Sequence, residues 1–173
     1  MKEIYHVKRS AVMRVETHSA QDTQALAASL APVLPAGTWI RLEGDLGAGK
    51  TTFTQGLGKA LGIARAIKSP TYTIVKEYDL EGQAAPRLIH IDAYRLEEGG
   101  ADTVDLASYR QQGDLVLVEW AQFIETELPT AYLDLALSYG QEVDDRVLTI
   151  QWVGGQEPEW LSQWSKEVSD HAR

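Results

Sequence analysis

Apolar residues recur along this chain in three patterns, and each predicts a different kind of element. From Ser19, which with Asp22 resembles a helix capping box, Leu26, Leu30 and Val33 keep helical spacing until Pro35 and Gly37 stop it. Phe53, Leu57, Ala60 and Leu61 form the stripe of a second helix. Trp160, Leu161, Trp164 and Val168 form that of a C-terminal one over residues 157–170, with Pro158 suited to its first turn. Strict alternation sets Leu133, Leu135 and Leu137 against Asp134, Ala136 and Ser138. With DRVLTIQWVG beyond the turn QEVDD, it predicts a hairpin with one wet face. In DLVLVEW the apolar residues run on without a break between turn signals, as expected of a strand buried on both faces.

Shorter signals fill the gaps. TWIRLEG reads as a short strand that feeds a glycine-rich loop and then the helix TTFTQGLGKALG, in which Gly56 and Gly58 lower the helical propensity. SPTYTIVKEYDL and RLIHID, joined by EGQAAP, predict a second hairpin, and GADTVDLASYRQQG a polar, weakly amphipathic helix. Residues 1–12 carry no clear pattern and are expected to be a flexible lead-in. The tryptophans of the last helix are expected to cap the core.

Composition narrows the class. A chain of 173 residues suits one domain with a full core, and its 44% apolar and 24% charged content is that of ordinary soluble proteins. No stretch reaches the roughly 20 apolar residues of a membrane span, and MKEIYHVKRSAVMRV lacks a secretory pattern, so a cytoplasmic protein without membrane contact is expected. The absence of cysteine excludes disulfides, thiolate nucleophiles and thiolate zinc sites. A net charge of −9 disfavours a strong direct grip on a nucleic-acid backbone, which needs Lys and Arg to neutralise phosphates.

The chemistry is concentrated at GDLGAGKT, Gly44 to Thr51, which matches G-x-x-x-x-G-K-[ST] between a predicted strand and a predicted helix. Glycines there let the backbone come close to a ligand and turn successive N–H groups onto phosphate oxygens. Lys50 is expected to reach the β- and γ-phosphates, Thr51 to occupy one Mg²⁺ position and Thr52 to touch the α-phosphate, aided by the helix N-terminus. Asp45, Gly47, Ala48 and Gly49 complete the nucleotide-binding candidates. The fold expected is α/β: a three-layer sheet of the phosphate-loop NTPase type flanked by helices, with antiparallel hairpins. A metal-side carboxylate normally ends another apolar strand, and both Glu119 in LVLVEW and Asp92 in RLIHID qualify. We assign Glu119 to Mg²⁺ and Asp92 to the attacking water, although the residues alone leave the roles exchangeable.

GDLGAGKTTF, KSPTY, DAYRL and VEW, in this order and spacing, resemble the TsaE family of bacterial ATPases from about Ser19 to beyond Trp120. The resemblance implies an ATPase required for N6-threonylcarbamoylation of adenosine 37 in tRNA, acting with the TsaB and TsaD proteins, with tRNA met only through that complex. It implies a phosphate cradle from Gly47 to Thr52, Thr51 and Glu119 on Mg²⁺, and Asp92 as the acid needed for hydrolysis. It also implies that Thr71 lies in a switch-like loop with Ser69, and Trp120 beside the nucleotide. One departure is EEGGADTVDLASY, a residue shorter than the family pattern, with Asp105 where a glycine is usual. Arg146 and residues before the first helix are candidates for contacting adenine. The competing reading is a small-molecule phosphate-loop kinase. Such an enzyme needs a lid against hydrolysis, and residues 62–87 offer only a hairpin and one loop for it. No N-K-x-D occurs to read guanine.

Overall fold

In the computed structural model, which describes residues 8–68, 74–98 and 105–171, the apolar patterns sort onto the two faces of one seven-stranded sheet. Its strands are β1 (Met13–Thr17), β2 (Trp39–Glu43), β3 (Val75–Asp79), β4 (Arg87–Asp92), β5 (Leu115–Glu119), β6 (Tyr132–Tyr139) and β7 (Arg146–Val153), in the spatial order β1-β7-β6-β2-β5-β4-β3. The central pairs β6–β2, β2–β5 and β5–β4 are parallel, while β3–β4, β6–β7 and β1–β7 are antiparallel. No described helix is long and apolar enough to cross a membrane.

Because side chains alternate along a strand, each central strand serves two cores. Leu115 and Leu117 of β5, Ile40 and Leu42 of β2 and Leu133, Leu135 and Leu137 of β6 pack under the helices α1 (Ala20–Leu30), α2 (Lys50–Ala60) and α4 (Glu159–His171). Val116 and Val118, with Trp39, Ile89 and Ile91, face α3 (Leu106–Gln112) and the 3₁₀ segments Ala93–Glu98 and Ala121–Glu127. This is a three-layer α/β arrangement. All five residues of β5 are buried, as the unbroken apolar run requires. At the end of β4 away from Asp92, Arg87 grips the fully buried Asp114 carboxylate in bidentate fashion at 3.0 and 2.7 Å, and Tyr109 donates to Glu77 at 2.7 Å. Burial and that Glu77 bond push the Tyr109 phenol up to about 12.

Local signals explain most helix starts. Ser19 caps α1 by accepting from Asp22 N–H at 3.1 Å, and the Asp22 carboxylate accepts in turn from His18 N–H at 3.0 Å. Asp105 takes the same part for α3, accepting from Ser108 N–H at 3.1 Å. The C-terminal helix starts at Glu159, directly after Pro158, and buries Leu161 and Trp164.

Three expectations are corrected. β1 was not foreseen, and residues 8–10 are not a free lead-in: Ser10 N–H donates to Trp152 O at 2.9 Å and Gly154 N–H to Lys8 O at 2.8 Å. Ala60 is exposed rather than buried with Phe53, Leu57 and Leu61. Ala60 is the last residue of α2 and lines an open groove beside α1. Earlier in the helix the glycines sit tightly: a Cβ on Gly56 would lie 2.5 Å from Gln24 O and 2.6 Å from Gln24 Cα of α1, and one on Gly58 would strike Ile67. Backbone cannot yield as a side-chain tip can, so Gly56→Val is expected to destabilise the protein by about 1–3 kcal/mol. Urea denaturation would check this.

Candidate functional site

The parallel strands β2, β5 and β4 end at one edge of the sheet, where Leu42 pairs with Glu119 and Glu119 with Asp92. The chain leaves β2 through the loop Gly44–Gly49 and enters α2 with Gly49 in the left-handed conformation at the N-cap (φ 108°). Gly47, at φ 79°, is also left-handed. The loop is seated closely on the end of β6: a Cβ on Gly44 would lie 2.7 Å from Leu137 O, and one on Gly49 3.3 Å from Leu137 Cδ2. At both φ and spacing these positions require glycine.

Asp45, Gly47, Gly49, Lys50, Thr51, Thr52, Asp92, Glu119 and Trp120 together line one cavity of about 350 Å³. A second cavity of about 300 Å³ adjoins it, sharing Asp45, Lys50 and Trp120. Lys50 Nζ donates to the Gly44 carbonyl and, at 3.5 Å, to that of Asp45, which places the ammonium at the mouth of the loop. The first turn of α2 closes with Phe53 N–H donating to Gly49 O at 2.9 Å, so the N–H groups of Lys50, Thr51 and Thr52 come before it and point out of the helix end. Ala48 stands apart: its side chain is buried and its N–H donates back to Asp45 O at 3.0 Å. Ser69 and Thr71 lie outside the described residues.

The two carboxylates are held differently. Glu119 is buried, and its Oε2 lies 2.8 Å from Nε2 of the fully buried His90. Since a carboxylate only accepts, the bond is donated by Nε2–H, while Nδ1 has no partner among the described residues. Asp92 is half-buried, with Oδ1 accepting from Tyr94 N–H at 3.0 Å. Trp120 follows Glu119 in the left-handed region at φ 58°, is 42% exposed as a residue, and packs with Tyr94 and Phe123 at ring centroid distances of 5.1 and 6.3 Å. A bulky residue there is backbone strain beside the cavity.

Sequence reasoning missed two contributors. His90 carried a signal, as the one polar residue inside the apolar run LIHI. Tyr139, whose hydroxyl donates to Leu46 O at 2.6 Å, carried none. Arg146 donates to Gly47 O at 3.3 Å and so stands at the loop. Loop amides, an ammonium, a hydroxyl and two carboxylates on one cavity suit a polyphosphate and a hard divalent cation held by oxygens.

A sheet with a parallel centre whose middle strand runs through this glycine loop into a helix defines the phosphate-loop class of fold. The chain belongs to the TsaE family, whose model, described as threonylcarbamoyl adenosine biosynthesis protein TsaE, matches residues 17–148. Similar proteins include the tRNA threonylcarbamoyladenosine biosynthesis protein TsaE of Bacillus subtilis strain 168, 39% identical over 82% of this chain and 87% of that one. The protein of the same name from Nostoc sp. PCC 7120 is 41% identical over 70% of this chain and 75% of its own. A crystal structure of Bacillus subtilis YdiB matches with a TM-score of 0.73 at 33% identity, covering 98% of this chain and 99% of that one.

Proposed function

We propose that this protein binds ATP with Mg²⁺ and hydrolyses it in the cytoplasm, in support of the N6-threonylcarbamoylation of adenosine 37 of tRNA by a TsaB–TsaD complex. The observation that carries the proposal is the convergence of Lys50, Thr51, Asp92 and Glu119 on one cavity at the N-terminus of α2. The likeness to proteins named for threonylcarbamoyladenosine biosynthesis supplies the pathway.

The division of labour follows from position. Lys50 and the loop amides neutralise and orient the phosphate chain, leaving the γ-phosphoryl aimed at the end of β4. Mg²⁺ fits the Thr51 hydroxyl and the Glu119 carboxylate, and when bound it would neutralise charge on the β- and γ-phosphates. Asp92, one strand further over and with Oδ1 fixed by Tyr94 N–H, orients the attacking water and accepts its proton. Trp120 walls the cavity from the solvent side. The segment holding Ser69 and Thr71, outside the described residues, is the proposed switch: bound nucleotide favours docking on the complex, and hydrolysis resets it. The chain's charge of −9 leaves the grip on tRNA to the partners.

His90 acts through Glu119. Holding Oε2, it leaves Oε1 to face the cavity, as residues behind metal ligands commonly do. His90→Phe is therefore expected to weaken the apparent Mg²⁺ affinity of turnover about tenfold, read from Mg²⁺ titrations of ATPase rate and of nucleotide binding.

The function itself is tested by incubating the protein with ATP and Mg²⁺ in ¹⁸O-labelled water. One ¹⁸O per phosphate released means attack by water. Phosphoryl groups recovered on a small hydroxyl acceptor, with no labelled phosphate, would replace the ATPase with the kinase.

A further inference from the structure

The crest of the glycine loop receives its order from one side only. Leu46 is 95% exposed, so no apolar packing holds the crest in place. Its carbonyl instead accepts from the Tyr139 hydroxyl at 2.6 Å, and the next carbonyl, Gly47 O, accepts from Arg146 Nη2 at 3.3 Å. The two donors lie 93 and 99 residues from their acceptors, at the last position of β6 and the first of β7, where they pair across the ladder.

The hairpin end that presents them is itself fixed. The guanidinium lies 4.8 Å from the Tyr139 ring centroid, and Nη1 donates to Val143 O at 2.9 Å and Asp145 O at 2.8 Å. Gly140 N–H donates to Asp145 O at 3.0 Å, and the Asp145 carboxylate accepts from Glu142 N–H at 3.1 Å and lies 2.9 Å from the His18 ring. Both hydrogen bonds to the loop therefore come from groups that need no rearrangement to make them.

Their effect follows from peptide geometry. In a trans peptide the C=O and the following N–H point in opposite directions. Drawing Leu46 O toward Tyr139 turns Gly47 N–H to the inner side of the loop, where a phosphate would sit. Drawing Gly47 O toward Arg146 sends Ala48 N–H back to Asp45 O, closing the turn at 3.0 Å. Gly47 can carry no side chain here, since a Cβ would lie 2.8 Å from the Tyr139 hydroxyl. We infer that Tyr139 and Arg146 are positioning residues for the phosphate loop, setting its peptide orientation and through it the affinity for the triphosphate, whatever base that triphosphate carries. Arg146 thus acts on the loop's backbone and does not read adenine. The inference rests on the nucleotide reading above and names two further residues of that site.

The test measures binding of two probes, ATP and inorganic tripolyphosphate, each with Mg²⁺, by calorimetry on the full chain and on Tyr139→Phe, which loses only the hydroxyl. Affinity for both probes is expected to fall by the same factor, about fivefold for one hydrogen bond. The melting temperature of the ligand-free protein stays put, and KM rises while kcat holds. Arg146→Met, which keeps the aliphatic stem, is expected to act in the same sense and covers the case in which one variant folds poorly. Weaker ATP binding with tripolyphosphate binding unchanged would overturn the inference in favour of a nucleoside contact. A lowered melting temperature with both affinities intact would overturn it in favour of a purely structural hairpin. Wild-type protein that binds neither probe would remove the nucleotide reading itself, and the positioning role with it.

Discussion

Lys50→Ala is expected to lower ATP affinity by at least about 100-fold, since two charge-assisted hydrogen bonds at about 1.5–3 kcal/mol each are lost from the phosphate chain. The ammonium is already at the loop mouth, bonded to the carbonyls of Gly44 and Asp45, so phosphate binding exchanges acceptors without moving the side chain far. Lys50 is half-buried and belongs to neither apolar core, so its truncation should leave the melting temperature of the free protein close to wild type. Calorimetric titration with ATP and Mg²⁺ measures the loss. Affinity within about threefold of wild type would place the triphosphate elsewhere.

Asp92→Ala is expected to do the reverse, keeping ATP affinity within about threefold and lowering kcat by about 10²–10⁴, the usual contribution of a positioned general base. Asp92 lines the cavity on the strand beyond Glu119, one position removed from the loop that holds the phosphates. Its carboxylate is aimed by Tyr94 N–H, and its own N–H is secured by Ile74 O at 2.9 Å. Losing the side chain therefore removes a proton acceptor and leaves the phosphate cradle whole. Equal rates in wild type and variant would reject the role. Tight, Mg²⁺-dependent ATP binding without turnover in Glu119→Gln, with Mg²⁺-dependent binding lost in Asp92→Ala, would exchange the two carboxylates.

How much of this was legible in the sequence depended on how local the cause was. The loop, its glycines and the helix after it are one continuous stretch, and the unbroken apolar run of β5 could only be a doubly covered strand. Asp92 and Glu119 were legible as strand ends, and the parallel register of β4 on β5 then set them side by side. The strand β1 escaped because its alternation, Met13, Val15 and Thr17 against the solvent-facing Arg14 and Glu16, spans only five residues, and its support comes from β7 some 130 residues later. Ala60 was misjudged because the spacing of an apolar stripe does not show where its covering partner ends, and Ala60, the last residue of α2, lies on an open groove. Tyr139 was invisible for a topological reason: only the parallel pairing of β6 with β2 brings the end of β6 to the loop, and hairpin signals within β6 and β7 say nothing of that pairing.

His90 is the intermediate case. A histidine in an apolar strand usually marks a satisfied core residue, and two positions before Asp92 its side chain lies on the opposite face from Ile89 and Ile91, with that of Glu119. Only the register of β4 against β5 turns that into a specific bond at 2.8 Å. Its neighbour in function, Trp120, was named for proximity to the nucleotide. Its left-handed backbone and its ring cluster with Tyr94 and Phe123 are properties of the folded edge.

The most direct test of ATP hydrolysis in the service of tRNA modification is a reconstitution. Phosphate release from ATP is measured for this protein alone and with purified TsaB and TsaD, and the threonylcarbamoyladenosine formed in tRNA is quantified by mass spectrometry in the same reactions. Hydrolysis that rises with the partners, and modification that is present with wild type and absent with Lys50→Ala and Asp92→Ala, is the expected result. Sustained modification by Lys50→Ala, or hydrolysis indifferent to the partners and to Asp92, would contradict it.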